Sequence, residues 1–439
     1  MSRVIAEPGR EIPVYGEYDV VVVGGGPAGV CAGLSAARAG KRTLVIEQFN
    51  CLGGVATAGL YVGIGVYAAP GGSPEIVGGI PREIGEQAVS DYEGHWRDPA
   101  LLVVDIENLK CQLDDLAEDS GLDVLYYTQV SDARVEDGRV TGVMLNNKSG
   151  RFAVRSARTI DCTGDADVAF RAGCRVMHGR GDDRRMQPVT VMYRLDHVDW
   201  PKVRTYLADD PKLRRFCTDA AAKGLMGPWQ SELMAFLWNP NRPDWLNVNF
   251  THMHYDGSSA FDMTKASTEG RRQVQEAVRA MRALIPGFEN AVLMDTAVYV
   301  GVRETRRIEG VYVMTAEDIK EQRIFDDSIG LGAAFIDIHN TEGPGMDRKS
   351  GFTLPKGGYY AIPYRSLVPE QMDGLLVAGR CHSCTHEAAG STRWMTQCMV
   401  MGQAAGTAAA LSIDADVEPR HVDVEALQRQ LRTDAAILE

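Results

Sequence analysis

The chain has 439 residues, 45% of them hydrophobic, which is enough for a large core and predicts two or three domains. Its formal net charge of −13 argues against nucleic acid or an anionic membrane as a general partner. Nine cysteines, an odd number in apolar surroundings, indicate reduced thiols, and no apolar run reaches the length of a membrane span, so we expect a cytoplasmic protein.

The first unit along the chain is a strand, a glycine turn and a helix. Residues 18–29 read YDVVVVGGGPAG, in which an apolar β-branched run leads into glycines and a helical pattern follows. Gly24 permits the tight turn, Gly26 lets the backbone approach a pyrophosphate, and Gly29 lets the helix lie close to the strand. The N-terminus of that helix presents free N–H groups and a partial positive charge to phosphates.

The second strand of this unit ends in an acid. The apolar segment 42–46 is followed by Glu47, 18 residues past Gly29. An acid at about this distance accepts hydrogen bonds from a ribose hydroxyl. An ordinary βαβ unit with a glycine turn is the plainer alternative. With the acid in place we predict an adenine dinucleotide site, and NAD and FAD are both open.

Further segments predict the rest of an α/β domain. A glycine-rich loop at 53–59 cannot be a helix interior, so its bare backbone is expected to lie against a ligand. Asp137 and Gly138 form a hairpin turn between two strands. The predicted elements are a helix at 106–121 and strands at 124–127, 130–135, 140–145 and 158–161.

The composition and the apolar patterning of the sequence change near residue 176. Four tryptophans follow, the segment 246–250 alternates as an antiparallel strand does, and 268–284 has helical spacing. Nucleotide-domain sequence returns at 374–380, and a long helix is predicted over 391–411. We therefore expect an α/β fold, in which a discontinuous Rossmann-like domain (1–175 and 360–439) carries an inserted α+β substrate or cap domain (176–359) rich in antiparallel sheet.

Taken together, these segments resemble the FAD-dependent oxidoreductases, and more closely the family named "FAD dependent oxidoreductase", related to flavoproteins of the succinate dehydrogenase and fumarate reductase type. The resemblance covers most of the chain but is not specific for a substrate. It rests on VVVGGGPAG (21–29), GGVAT (53–57), DCTGD (161–165), GVRETRRI (301–308), LVAGRC (376–381), THEA (385–388), STR (391–393) and GQAAG (402–406).

The resemblance implies FAD as the cofactor and a role for individual residues. The first glycine turn would bind the pyrophosphate, Glu47 the adenosine ribose and Val130 the adenine, with Asp165 near the middle of the cofactor. The loop at 53–57, residues 379–380 and the start of the last helix would lie beside the flavin ring. The implied cofactor-binding residues are Gly24, Gly26, Pro27, Ala28, Gly29, Glu47, Gly53, Gly54, Val55, Thr57, Val130, Gly164, Asp165, Gly379, Arg380, Ser391 and Gln403.

The sequence contains one complete dinucleotide fingerprint, which disfavours a second, dedicated NAD(P)H-binding domain. We therefore predict a dehydrogenase or oxidase in which the flavin takes a hydride from a CH–OH or CH–NH centre of a small polar metabolite. Oxygen or a carrier would then accept the electrons. A single-component flavin monooxygenase and a non-catalytic flavoprotein subunit are the alternatives. The oligomeric state stays open.

Three residues are candidates for catalysis, and no metal site is predicted. His386 has the pKa that a general base needs, although a structural histidine is the plainer interpretation. Arg393 could orient a substrate carboxylate, or serve the flavin or a salt bridge. His252, which alternates with His254 on a predicted strand, could line the active site or face solvent. The other arginines of 303–307 are interpreted as a salt-bridge network.

The pair Cys381 and Cys384 leaves several roles open. It could form a redox disulfide that acts with the flavin, ligate a metal with neighbouring histidines, or be part of a loop of small residues packed against the cofactor. Covalent attachment of the flavin through a residue such as Cys51 or Cys381 is a further alternative that the sequence does not decide.

Overall fold

The computed structural model describes residue 9 and residues 11–439. In this part of the chain the strands are β1 Val14–Val23, β2 Thr43–Ile46, β3 Gly63–Gly65, β4 His95–Asp98, β5 Leu101–Val103, β6 Asp123–Leu125, β7 Gln129–Glu136, β8 Arg139–Asn147, β9 Gly150–Asp161, β10 Val176–His178, β11 Tyr193–Asp196, β12 Ala235–Leu237, β13 Leu246–Asn249, β14 Val292–Thr296, β15 Arg306–Ile308, β16 Ser328–Gly332, β17 Tyr360–Pro363 and β18 Leu375–Val377. The α-helices are α1 Pro27–Arg38, α2 Gly79–Ser90, α3 Ile106–Asp119, α4 Asp167–Arg171, α5 Trp200–Asp209, α6 Arg214–Ala222, α7 Ala260–Leu284, α8 Ala316–Lys320, α9 His386–Thr392, α10 Met395–Asp414 and α11 Val424–Thr433.

The main sheet has the order β6-β2-β1-β9-β8-β7, and β18 also pairs with β9. Strands β6, β2, β1, β9 and β18 are parallel, whereas β8 and β7 form an antiparallel extension. The fully buried valines of β1 explain why this apolar run forms a central strand. The mixed α/β fold with a Rossmann-like parallel core is therefore confirmed.

Helix α10 lies directly against α1 because two glycines allow it. A Cβ atom on Gly402 would lie 2.0 Å from the carbonyl oxygen of Ala28, and one on Gly406 would lie 2.3 Å from that of Ala32. Any side chain at these positions would push the helices apart. The C-terminal segment thus packs directly on the N-terminal segment.

The inserted region has its own antiparallel sheet, of order β12-β13-β11-β14. It carries a separate apolar core made of buried residues between 189 and 300, including several from α7. Residues 314–354 fall instead in the core cluster of the main sheet. The independent core is therefore narrower than the predicted 176–359 domain, and that boundary stays a prediction.

Two helices differ from their predicted bounds. Helix α7 begins at Ala260, eight residues earlier than predicted, because the side chain of Ser259 accepts a hydrogen bond from the Asp262 amide and caps it. The predicted helix 391–411 is wrong as one element, since α9 ends at Thr392 and α10 begins at Met395. Trp394 between them is extended, and the preceding Gly-Ser-Thr triplet has low helix propensity.

Within the described residues, no helix combines the length and apolar character that crossing a membrane requires. All nine cysteines are free thiols, and only Cys111 is exposed.

Candidate functional site

A cavity of about 840 Å³ lies at the carboxyl ends of the parallel strands. Its walls come from the turn after β1, the loops after β2, β9 and β18, and the start of α10. The inserted region closes the other side with residues around β13 and the segment 301–303, and the segment 335–339 completes this wall. Ligands of open α/β sheets bind in this position, so we treat the cavity as the functional site.

The glycine turn after β1 has the geometry that a phosphate-binding turn requires. Gly24 has φ +96°, and a Cβ atom there would lie 2.6 Å from the carbonyl oxygen of Cys162. A Cβ atom on Gly26 would meet nothing within 4 Å, so the backbone there faces open space. A Cβ atom on Gly29 would lie 1.7 Å from the carbonyl oxygen of Gly24, which is why α1 can begin so close to the strand.

Glu47 is buried at the end of β2 and is held by backbone amides. Its Oε2 accepts a 2.6 Å hydrogen bond from the Gly25 amide, and its Oε1 accepts a 2.9 Å bond from Phe49. Burial raises the pKa of this carboxyl. Each oxygen keeps a lone pair that could receive a ribose hydroxyl.

An unpartnered arginine nitrogen points to a ligand in the middle of the cavity. Nη2 of Arg380 donates to Oδ1 of Asp165 at 2.8 Å, and the Thr305 hydroxyl donates to the same oxygen at 2.5 Å. Nη1 of Arg380 is buried with no partner among the described residues. A buried donor of this kind calls for an acceptor, which the middle of a dinucleotide supplies. The residues present therefore fit the expected cofactor.

Most of the cofactor residues expected from the resemblance line this one cavity: Gly24, Gly26, Pro27, Ala28, Glu47, Gly54, Val55, Val130, Gly164, Asp165, Gly379 and Arg380. Five others, Gly29, Gly53, Thr57, Ser391 and Gln403, do not line it.

The non-lining residues have packing roles around the cavity. The Gly53 amide donates to the Gly25 carbonyl at 2.8 Å, and the Thr57 hydroxyl donates to the Leu52 carbonyl at 2.6 Å. Ser391 is fully buried in α9, where its hydroxyl bonds the Ala334 carbonyl. Oε1 of Gln403 accepts from the Ile80 amide at 3.0 Å and ties α10 to α2.

The far end of the cavity brings together two arginines, an aspartate and a histidine. Nη2 of Arg393 donates to Oδ2 of Asp337 at 2.8 Å, and Nε2 of His339 lies 3.6 Å from the same oxygen. Arg303 enters from the inserted side, where its Nη1 donates to the Thr190 hydroxyl at 2.9 Å. The first turn of α10 also faces this end and adds a partial positive charge.

The charges in this group are incompletely balanced. Burial, and next the neighbouring Arg393, lower the pKa of Arg303 to about 9. Asp337 forms an ion pair with Arg393, and its negative charge also acts on Arg303. An anion in the cavity would relieve the repulsion between the two arginines.

His339 is a neutral base in this setting. Burial, and next the charge of Arg303, lower its pKa to about 4, although Asp337 acts in the opposite direction. Its Nδ1 is buried without a partner in the described residues. In its neutral form the ring keeps one nitrogen lone pair that can accept a proton.

The three catalytic candidates from the sequence fall in different places. Arg393 lines the cavity. His252 lies behind it, with its ring centroid 6.2 Å from that of His339 and its Nε2 2.9 Å from the Gly343 carbonyl. His386 does not line the cavity. It borders a second cavity of about 780 Å³, and its Nδ1 donates to the buried Glu304.

Among the described residues, the cysteine pair belongs to no cluster of side chains that could hold a metal ion. Cys381 and Cys384 are buried thiols, and neither lines the large cavity. Burial raises the pKa of Cys384 to about 11 and that of Cys381 further, so both stay protonated.

Asp337 and His339 are not among the residues predicted from the sequence. Arg303 is predicted to belong to a salt-bridge network. Residues 336–339 alternate between apolar and polar types, a pattern typical of an extended segment with one buried face. The arginine cluster divides: Arg307 pairs with Glu304 at 2.8 Å as the salt-bridge interpretation predicts, whereas Arg303 faces the cavity. Nothing in the residue pattern separates these two arginines.

The sequence of the chain is similar to known proteins over most of its length. A family model described as "FAD dependent oxidoreductase" matches residues 19–431. Curated relatives include the thiamine thiazole synthases of Methanococcus aeolicus, 33% identical over 35% of this chain and 57% of that protein, and of Aeropyrum pernix, 34% identical over 33% and 50%. The matched region thus spans only about half the length of these relatives.

One solved structure is reported for comparison. A geranylgeranyl bacteriochlorophyll reductase-like protein from Thermoplasma acidophilum covers 96% of this chain and 84% of its own, with 14% identity and a TM-score of 0.48.

Proposed function

The chain belongs to the FAD dependent oxidoreductase family, and from that premise we propose that it oxidises a small carboxylate-bearing metabolite at a CH–OH or CH–NH centre. The observation that carries this proposal is the group formed by Arg303, Arg393, Asp337 and His339 at one end of the cofactor cavity. It offers a place for an anion and a free proton acceptor side by side.

Each side chain has a distinct role in this proposal. Arg303 and Arg393 hold the substrate carboxylate, for which guanidinium groups are geometrically suited. The neutral ring of His339 accepts the proton from the substrate hydroxyl or ammonium group, while Asp337 orients the ring and stabilises the imidazolium that forms. Bound FAD would supply the hydride acceptor, so that the substrate would leave as a carbonyl or imine and oxygen or a carrier would receive the electrons.

The test is anaerobic reduction of the purified holoprotein by a library of hydroxy acids, amino acids, alcohols and amines. We expect bleaching of the flavin absorbance by some acids, and far slower bleaching by the matched amides, which keep the reacting carbon but lack the charge. Bleaching by NADH or NADPH without any substrate would instead support the monooxygenase alternative. No bleaching across the library would support a non-catalytic flavoprotein.

A further inference from the structure

Positive charge continues from the two buried arginines to the solvent-facing mouth of the same cavity. Lys212, Arg214 and Arg348 line that mouth. The side chains of Arg214 and Arg348 are 53% and 65% exposed, so they meet solvent at one edge and the cavity at the other. These three cations come from two separate segments that the fold brings together.

The buried carboxylate of Glu232 contacts two of these three cations. Oε2 of Glu232 lies 2.7 Å from Nη2 of Arg214 and 3.4 Å from Nη2 of Arg348. Burial raises the pKa of Glu232, but hydrogen bonds from Arg214 and the Met346 amide outweigh burial and lower it. The carboxylate is therefore ionised, and it balances one of the cations.

The substrate end as a whole carries an excess of positive charge. Its acidic lining residues are Glu232 and Asp337, and the histidine there, His339, is neutral at physiological pH. The cations that face them are Lys212, Arg214, Arg303, Arg348 and Arg393. This leaves a surplus of three positive charges in a chain whose formal net charge is −13. A low-dielectric cleft lined by one sign of charge concentrates ligands of the opposite sign.

We propose that the substrate carries two anionic groups, and that Lys212, Arg214 and Arg348 hold the second one, a carboxylate or a phosphate. This inference rests on the proposed function, in which the first carboxylate lies between Arg303 and Arg393. The inner arginines then fix the reacting carbon beside His339, and the outer cations select substrates by charge and length. Anionic metabolites with a single charged end occupy only the inner group.

Equilibrium binding to the holoprotein tests the second group without turnover. Malonate, glutarate and phosphonoacetate serve as dianionic probes, with acetate and butyrate as monoanionic controls, and the readout is perturbation of the flavin absorbance. We expect at least one dianion to bind about 10- to 100-fold more tightly than the monoanions, as one additional hydrogen-bonded charge provides. This advantage shrinks with added salt. Tighter binding of the dicarboxylates indicates that the second anionic group of the substrate is a carboxylate, and tighter binding of phosphonoacetate indicates a phosphate.

Two variants, Lys212→Gln and Arg348→Gln, test whether the preference for dianions arises at the mouth of the cavity. Both should lower the affinity ratio of dianion to monoanion, whereas Lys148→Gln, which removes the same charge from an exposed loop, should leave the ratio as in the wild type. Equal affinity for dianions and monoanions in the wild type overturns the inference. So does a ratio that the mouth variants change no more than Lys148→Gln does. Reduction of the flavin by monocarboxylic acids would still uphold the proposed function in either case.

Discussion

Nε2 of His339 lies 3.6 Å from Oδ2 of Asp337, and the two side chains are only 4% and 14% exposed in the wall of the cofactor cavity. This relationship directs one ring nitrogen at a carboxylate and leaves Nδ1 without a partner in the described structure. A neutral imidazole oriented in this way is equipped to accept a proton from a substrate held by nearby arginines.

Replacing His339 by Gln removes that acceptor while keeping the volume similar. We expect anaerobic reduction by substrate to slow by about 10²- to 10⁴-fold, the usual contribution of a general base. Flavin content should stay unchanged, because His339 is at the substrate end. The exposed His254, replaced by Gln, is the matched control. Reduction within a few-fold of the wild type would remove His339 from the mechanism.

The pH dependence of reduction follows from the lowered pKa of His339. The base is active when neutral, and its pKa lies at about 4 instead of near its ordinary value of about 6.5. The rate at low substrate concentration should therefore hold from pH 8 down to pH 5 and fall as the pH drops through about 4. An inflection near 6.5 that disappears in His339→Gln would show that the environment does not lower this pKa.

Arg393→Gln removes one of the two groups assigned to the substrate carboxylate. We expect acetate and substrate acids to bind about 10- to 100-fold more weakly, since a hydrogen bond to a charged group contributes about 1.5–3 kcal/mol. Affinity for the matched amides should change much less. Equal losses for acids and amides would mean that Arg393 acts on the fold or the flavin and not on the carboxylate.

Substitutions of two glycines, Gly26 and Gly29, should have different effects: one on flavin binding and the other on stability. Gly26 has φ −71° and open space where a Cβ would stand, so Gly26→Val should fold normally but purify without flavin. Gly29→Ala should instead lower the melting temperature of the apoprotein, because its Cβ would meet the Gly24 carbonyl at 1.7 Å. Normal flavin content in Gly26→Val would mean that the pyrophosphate does not approach this backbone.

His386→Ala tests the base that the sequence favoured. His386 donates to Glu304, which also accepts from Arg307 and the Gln187 amide, so its loss leaves a buried carboxylate short of one donor. We expect a loss of about 1–3 kcal/mol in the free energy of unfolding, measured with urea. Reduction by substrate should keep its rate. A rate that falls by 10²-fold or more with normal stability would return the base role to His386.

The cofactor end of the molecule is predictable from sequence because local pattern determines it. The turn at Gly24–Gly29, the acid at Glu47 and the hairpin at Asp137–Gly138 each depend on neighbours within a few residues. Positive φ angles at Gly24, Asp137 and Gly138, and the close approach at Gly29, leave little choice of residue type at these positions. The fold class and a dinucleotide site follow from such segments, whereas FAD in particular follows from the family resemblance.

The substrate end is assembled from distant segments, which is why the sequence pointed to Arg393 but not to Asp337 or His339. Arg303, Asp337 and Arg393 are separated by tens of residues, and only the packing of these segments in the fold brings them together. His386 has the residue type of a base, but its ring is used to hold Glu304. Residue type alone cannot tell which cavity a side chain reaches.

The most direct test of the central claim, that a substrate C–H bond breaks with hydride transfer, is single-turnover anaerobic reduction by the best acid from the library. It compares the compound carrying hydrogen with the one carrying deuterium at the reacting carbon. We predict that deuterium slows the loss of flavin absorbance several-fold, and that NADH and NADPH alone leave the absorbance unchanged. Equal rates for the two isotopic forms, together with rapid reduction by NADPH in the absence of substrate, would contradict the account.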